Sequence, residues 1–171
     1  MFDIQSYIFG ALNFLNDSWM SQTLLTAIGE TFYMVLVSTA LAYLFGLPLG
    51  VILVITEKGH IMENVAVNKV LAVIINAARS VPFIIMLILL IPLTRLIVGT
   101  FIGTTASIVP LTISAIPFVA RLIETSLKEL DYGLVEAALS MGAKPHEIIM
   151  KVLVPEAAPS IILGVAITMI N

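Results

Sequence analysis

From Phe32 to Ile55 the chain runs for 24 residues without a charged side chain. No other feature narrows the fold as much, because a helix rises about 1.5 Å per residue and the hydrocarbon core of a bilayer is about 30 Å thick. Two further runs are also long enough to cross. Val70–Ile91 has 22 residues with Arg79 as its one charge, and Phe101–Ala120 has 20 with none. None of them alternates apolar and polar residues in segments of about ten, as the strands of a membrane barrel do. The expected fold is all-α, a polytopic helical membrane protein. Composition agrees: 11% of the 171 residues are charged and the mean hydropathy is +1.11, whereas a soluble domain carries roughly 25% charged residues. A fourth run, Ala157–Ile170, has 14 residues, about 21 Å of helix and short of a crossing. The expectation is three full spans plus the start of a fourth, in one transmembrane domain over residues 1–171 that is truncated at its C-terminus.

The basic residues set the orientation. The first thirty residues contain no Lys or Arg, so they lack the basic start of a signal peptide. Residues 1–31 read as an external, interfacial segment with Trp19 at headgroup level. The loop after the first run carries Lys58 and Lys69, the next connection carries Arg95 alone, and the segment after the third run carries Arg121, Lys128, Lys144 and Lys151. Basic loops stay cytoplasmic. The N-terminus is therefore expected outside and residues 121–156 inside.

That inner segment contains "EAALSMGAKPHEIIMKVLVPEAAPS", from Glu136 to Ser160, in which small residues, charges and prolines replace the apolar runs. Asp131 can cap a helix. Leu134, Ala137, Ala138 and Met141 fall at i, i+3, i+4 and i+7 of it, one helical face. Gly142 offers a left-handed stop, Pro145 a favoured first position for a second helix, and Glu147 an acidic first turn. Ile148, Ile149, Val152 and Leu153 give that helix an apolar face, and Pro155 ends it. Two helices lying on the membrane surface would satisfy this pattern. An interfacial anchor, however, places Trp, Phe or Leu opposite Lys or Arg, whereas the first helix offers paired alanines and a glycine, which admit a partner's backbone.

Glu136-Ala137-Ala138, three residues, Gly142, nine residues, then Val152-x-Val154-Pro155 resembles the EAA loop of bacterial ABC-importer permeases, with Val152 and Val154 where that pattern has Ile and Leu. "GETFYMVLVSTALAYLFGLPLGV", "NAARSVPFIIMLILLIPLTRLIVGT" and "IVPLTISAIPFVARLIETSLKEL" are similar to the methionine-type branch, and together they cover most of the chain from Gly29 onward. The resemblance implies a permease of usually five spans in a bacterial inner membrane. It implies a second copy of the permease, surrounding lipid, cytoplasmic ATPase subunits that bind ATP and Mg, and a periplasmic or lipid-anchored methionine-binding protein. It makes Glu136, Ala137, Ala138, Met141, Gly142 and Pro155 the ATPase-coupling residues, with no catalytic residue and no cofactor in this chain. ATPase closure would then drive alternating access.

Other residues leave alternatives open. Arg79, with Asn76 and Ser80, either lines a substrate pathway or snorkels to the inner surface. Gly46-x-x-x-Gly50 reads as a helix contact, within one subunit or between two. Pro48, Pro82, Pro110 and Pro117 lie in apolar runs, where proline is common. His60 and His146 lack ligand-like spacing, Asn16-Asp17-Ser18 matches a glycosylation sequon by chance, and nothing points to nucleic acid. A permease for another amino acid is the nearest rival. An ion-coupled secondary transporter would need acidic residues deep in the spans, where the three runs have none and Glu30 only borders the first.

Overall fold

A computed structural model describes the backbone of residues 18–170 and the side chains of residues 20–170. The sequon and the Trp19 side chain lie outside what is described. In chain order the helices are α1 (Ser18–Ile55), α2 (Val65–Ser80), α3 (Phe83–Leu89), α4 (Ile91–Val98), α5 (Thr104–Lys128), α6 (Tyr132–Ser140), α7 (Pro145–Glu156) and α8 (Ala158–Ile170). Among the described residues there is no strand.

Two helices are long and apolar enough to cross a membrane unaided, Met20–Ile55 and Thr104–Lys128. The first run is continuous with the residues before it: α1 begins at Ser18 and passes through Thr31 without a break. The second run corrects the expectation of an unbroken crossing. α2 and α3 meet at a bend of 102°. The cause is local. Pro82 disfavours helical backbone at the residue before it, and Val81 is extended there (φ −81°, ψ 123°). Pro82 then starts a new helix with no side-chain cap. The last run is also part of a bent pair, α7 meeting α8 at 64°.

Prolines elsewhere do not break their helices. Pro110 and Pro117 are buried inside α5, and Pro48 sits within α1. These two helices form the main seam of the molecule. Between helices in lipid there is little hydrophobic driving force, so close packing must supply the attraction. The seam achieves it with glycine. A Cβ at Gly46 would lie 2.7 Å from Val119 Cγ1, and one at Gly50 would lie 2.6 Å from the Ala120 carbonyl oxygen. Gly46 and Gly50 are thus a contact within the chain. Val119, Ala120 and Ile123 are wholly buried against them.

At the end of the seam the core continues into the helix–turn–helix. Val135 and Ala138 of α6 and Ile148 and Leu153 of α7 join Ile55 and Leu127 in one buried cluster. Burying a Val, Leu or Ile side chain stabilises by about 1.5–3 kcal/mol, so this cluster holds α6 and α7 against the ends of α1 and α5.

Candidate functional site

The hairpin of α6 and α7 is built by its caps. The Asp131 carboxylate accepts the Gly133 N–H at 2.8 Å and starts α6. At its other end the Ala143 N–H reaches the Ala138 carbonyl (3.1 Å) and the Gly142 N–H reaches that of Leu139 (2.9 Å). This is the Schellman pattern, which needs a left-handed residue at the turn. Gly142 supplies it with φ 78°. Pro145 opens α7, and the Glu147 carboxylate reaches back to accept the Lys144 N–H at 3.1 Å while also pairing with Lys151 at 3.1 Å. The Lys144 N–H, and then Lys151, hold the Glu147 carboxyl below its ordinary pKa.

Near its C-terminal end α7 widens. Over Ile149–Leu153 the helix makes a π turn, and the Val154 N–H bonds to the Ile149 carbonyl. Pro155 has no N–H to give and crowds the carbonyl four residues back, so a shifted register here follows from the proline. The helix continues through Pro155 to Glu156, so Pro155 does not stop it as expected.

The expected single face of α6 is split. Ala138 is 3% exposed and turned into the core with Val135, which the periodicity assigned to no face. Leu134, Glu136, Ala137, Met141 and Gly142 are on the outside, Met141 with 81% of its surface free. Pro155 is also exposed. Nothing lies within 4 Å of where a Gly142 Cβ would stand. A short helix thus packs one edge against its own chain and presents an open, weakly charged edge at the tip. Such a surface can receive another protein's groove.

The base of the hairpin is tied to the turn between α1 and α2, contacts no sequence motif announced. Tyr132 donates its hydroxyl proton to the Gly59 carbonyl at 2.8 Å, and its ring meets His60 edge to face at 5.3 Å. Lys128 bridges Glu57 (2.8 Å) and Glu124 (3.0 Å), and Arg121 pairs with Glu124. Glu124 is largely buried, and two cations offset the cost of burying its charge. Burial first, and Lys128 second, push the His60 pKa down against an opposing pull from Glu57.

The expected pathway residues separate. A cavity of about 550 Å³ is lined by Arg79, Ser38, Thr39, Ser114, Met86 and Phe118 among others. A second of about 500 Å³ shares Arg79 and Phe118 and adds Arg121, Ser126, Glu129 and Ser160. Arg79 stands in the last turn of α2 just before the 102° bend. Asn76 and Ser80 line neither cavity, and the Ser80 hydroxyl is turned back to the Asn76 carbonyl at 2.9 Å.

Comparison with known proteins places this geometry. Residues 46–171 match the model of a family described as binding-protein-dependent transport system inner membrane component. The chain is 57% identical over 151 residues to a probable D-methionine transport system permease protein of Vibrio cholerae, covering 88% of this chain and 67% of that protein. It is 53% identical over 141 residues to the corresponding probable permease of Pasteurella multocida, covering 82% and 65%. With the D-methionine transport system permease protein of Escherichia coli K12 it shares 46% identity over 152 residues, covering 89% and 70%. The chain therefore spans about two thirds of the length of these curated relatives. Its fold is similar to a chain of the MetNI methionine ABC transporter solved in inward-facing conformations, with a TM-score of 0.88 and 45% identity over 90% of this chain and 71% of that one. An amino acid ABC transporter solved with histidines shares the fold alone, with a TM-score of 0.68 at 22% identity over 92% of this chain and 70% of that one. By the family match and these identities, the chain belongs to the binding-protein-dependent transport system inner membrane components.

Proposed function

We propose that the chain is the membrane-spanning permease of an ATP-driven importer of methionine and works as a pair of copies. The hairpin at 131–156 faces the cytoplasm and seats in a cleft of a separate ATPase subunit, which binds ATP and Mg. A binding protein, periplasmic or lipid-anchored, delivers the amino acid from the other side. The observation that carries this reading is the outward edge of α6. Glu136, Ala137, Met141 and Gly142 are exposed on a hairpin whose other edge is buried in its own chain. Small side chains there allow close approach, and Glu136 offers a charge to a basic partner. Ala138 supports the hairpin from within, and Pro155 shapes α7 behind the contact. The similarity to D-methionine permeases and to the methionine transporter structure supports the substrate.

Arg79 belongs to the pathway in this reading: it borders both cavities, and its charge suits an amino-acid carboxylate. Asn76 and Ser80 act only by shaping the end of α2.

The test is uptake of labelled methionine into proteoliposomes holding this chain, its ATPase and its binding protein. ATP inside the appropriate compartment should drive accumulation, and a vanadate block should stop it. Uptake driven by a proton gradient without ATP contradicts the reading. Accumulation of another amino acid in preference to methionine leaves the mechanism standing and overturns the substrate.

A further inference from the structure

The contact between the hairpin and the α1–α2 turn joins segments far apart in sequence: Tyr132 and the Gly59 carbonyl are separated by 73 positions. The turn it reaches is itself closed. Gly59 has φ 85°, and its N–H donates to the Glu63 carboxylate at 2.9 Å. The Met62 N–H bonds the Ile55 carbonyl and the Asn64 N–H bonds that of Thr56, both at 3.0 Å. Asn68, one turn into α2, donates its amide to the Leu53 carbonyl at 2.6 Å. Residues 56–64 are therefore tied by hydrogen bonds to the ends of α1 and α2.

Three routes lead from α6 into the bundle. One is the chain itself, through Glu129–Asp131 into α5. The second is the buried cluster that sets Val135 and Ala138 against Ile55 and Leu127. The third crosses through Tyr132 to the closed turn, with Lys128 pairing to Glu57 alongside it, and it alone of the three leads toward α2. Tyr132 is the first residue of α6, so it holds the hairpin at its base, away from the exposed tip at Met141 and Gly142. We propose that Tyr132 is a positioning residue for energy coupling: it makes the coupling hairpin bear on the α1–α2 turn, so that displacement of α6 is delivered to the start of α2 as well as to α1 and α5. This inference rests on the importer reading above. A residue at the base should matter for transmitting movement and not for holding the ATPase.

Two variants test it in the assembled transporter. Tyr132→Phe keeps the ring and its contact with His60 but removes the hydroxyl. Methionine taken up per ATP hydrolysed should fall about fivefold, the scale of one lost hydrogen bond, with ATPase recovery unchanged. A wild-type ratio overturns the proposal, and so does release of the ATPase, which would make Tyr132 a docking residue. Tyr132→Leu removes the ring contact with His60 as well as the hydroxyl, so the ratio should fall at least as far as in Tyr132→Phe, again with the ATPase retained; a ratio nearer wild type than that of Tyr132→Phe overturns the proposal. Uptake by the unchanged chain in the same vesicles reports on the importer reading separately.

Discussion

The seam between α1 and α5 and the tip of the α6–α7 hairpin both depend on glycine, for opposite reasons. At Gly50 a single added carbon would lie 2.6 Å from a backbone carbonyl oxygen, whereas at Gly142 it would meet nothing within 4 Å. Gly50 is needed for the space it leaves, and Gly142 for the backbone angle it allows, φ 78°. The seam is built to be filled by its own chain. The tip is built to hold a shape while staying empty. A residue's importance for folding and its importance for docking should therefore come apart along the chain.

The largest effect should be at the seam. Gly50→Val must displace α5 backbone as well as the Ile123 side chain, so it should cost at least about 1–3 kcal/mol, the range for overpacking. Thermal unfolding of the detergent-solubilised chain should show this as a lost or strongly lowered transition. A transition at the wild-type temperature would break the contrast.

Gly142→Val comes next. It meets no obstacle, but left-handed backbone costs an L-residue about 1–2 kcal/mol, so the chain should fold with a modest loss. The strain falls on the Schellman turn, so ATPase recovery should fall more steeply than stability does. Equal losses in the two readouts would place Gly142 with Gly50.

Ala137→Arg should leave stability within about 0.5 kcal/mol, as exposed sites usually do. Ala138→Arg should instead behave like a seam variant, because Ala138 is 3% exposed. Parallel unfolding curves for the two would contradict the split of α6 into an inner and an outer edge.

The smallest effect is in pH. The His60 pKa is held below its ordinary value near 6.5. The folded turn thus favours the neutral ring. Its contribution is complete above about pH 6.5 and is lost as pH falls through the lowered folded pKa. Protection against hydrogen exchange at residues 59–62, taken relative to the intrinsic rate at each pH, should fall between pH 7 and 5, and His60→Asn should remove the loss. Glu57, Lys128 and Tyr132 face this ring, and a dependence that survives His60→Asn would contradict the assignment to His60.

Local chemistry was readable where a residue acts on its own backbone. Asp131, Gly142 and Pro145 place the ends of α6 and α7 correctly, because caps and left-handed turns involve neighbours in sequence. The apolar runs gave the all-α class for the same reason. Faces were harder. Leu134, Ala137, Ala138 and Met141 share a helical period, but α6 has apolar residues on two sides, one for its own core and one left open, and a single period cannot separate them. The break at Pro82 was hidden because Pro48, Pro110 and Pro117 look the same in sequence, yet these three lie inside the two helices that pack along the main seam and leave them unbroken. The ties of Tyr132 to Gly59 and of Lys128 to Glu57 span long separations between ordinary-looking residues, and no motif encodes them. The glycine motif suits a contact within one chain or between two, and only the packing of Val119 and Ala120 of the same chain against it separates these.

Docking without a cost to folding is best measured by recovering the ATPase on tagged chain from native membranes, comparing wild type with Ala137→Arg at matched amounts of folded permease. The account predicts a normal unfolding transition for Ala137→Arg and at least about a tenfold drop in bound ATPase, the scale of an anchor residue lost from an interface. ATPase recovered at the wild-type ratio on a well-folded Ala137→Arg chain would contradict it.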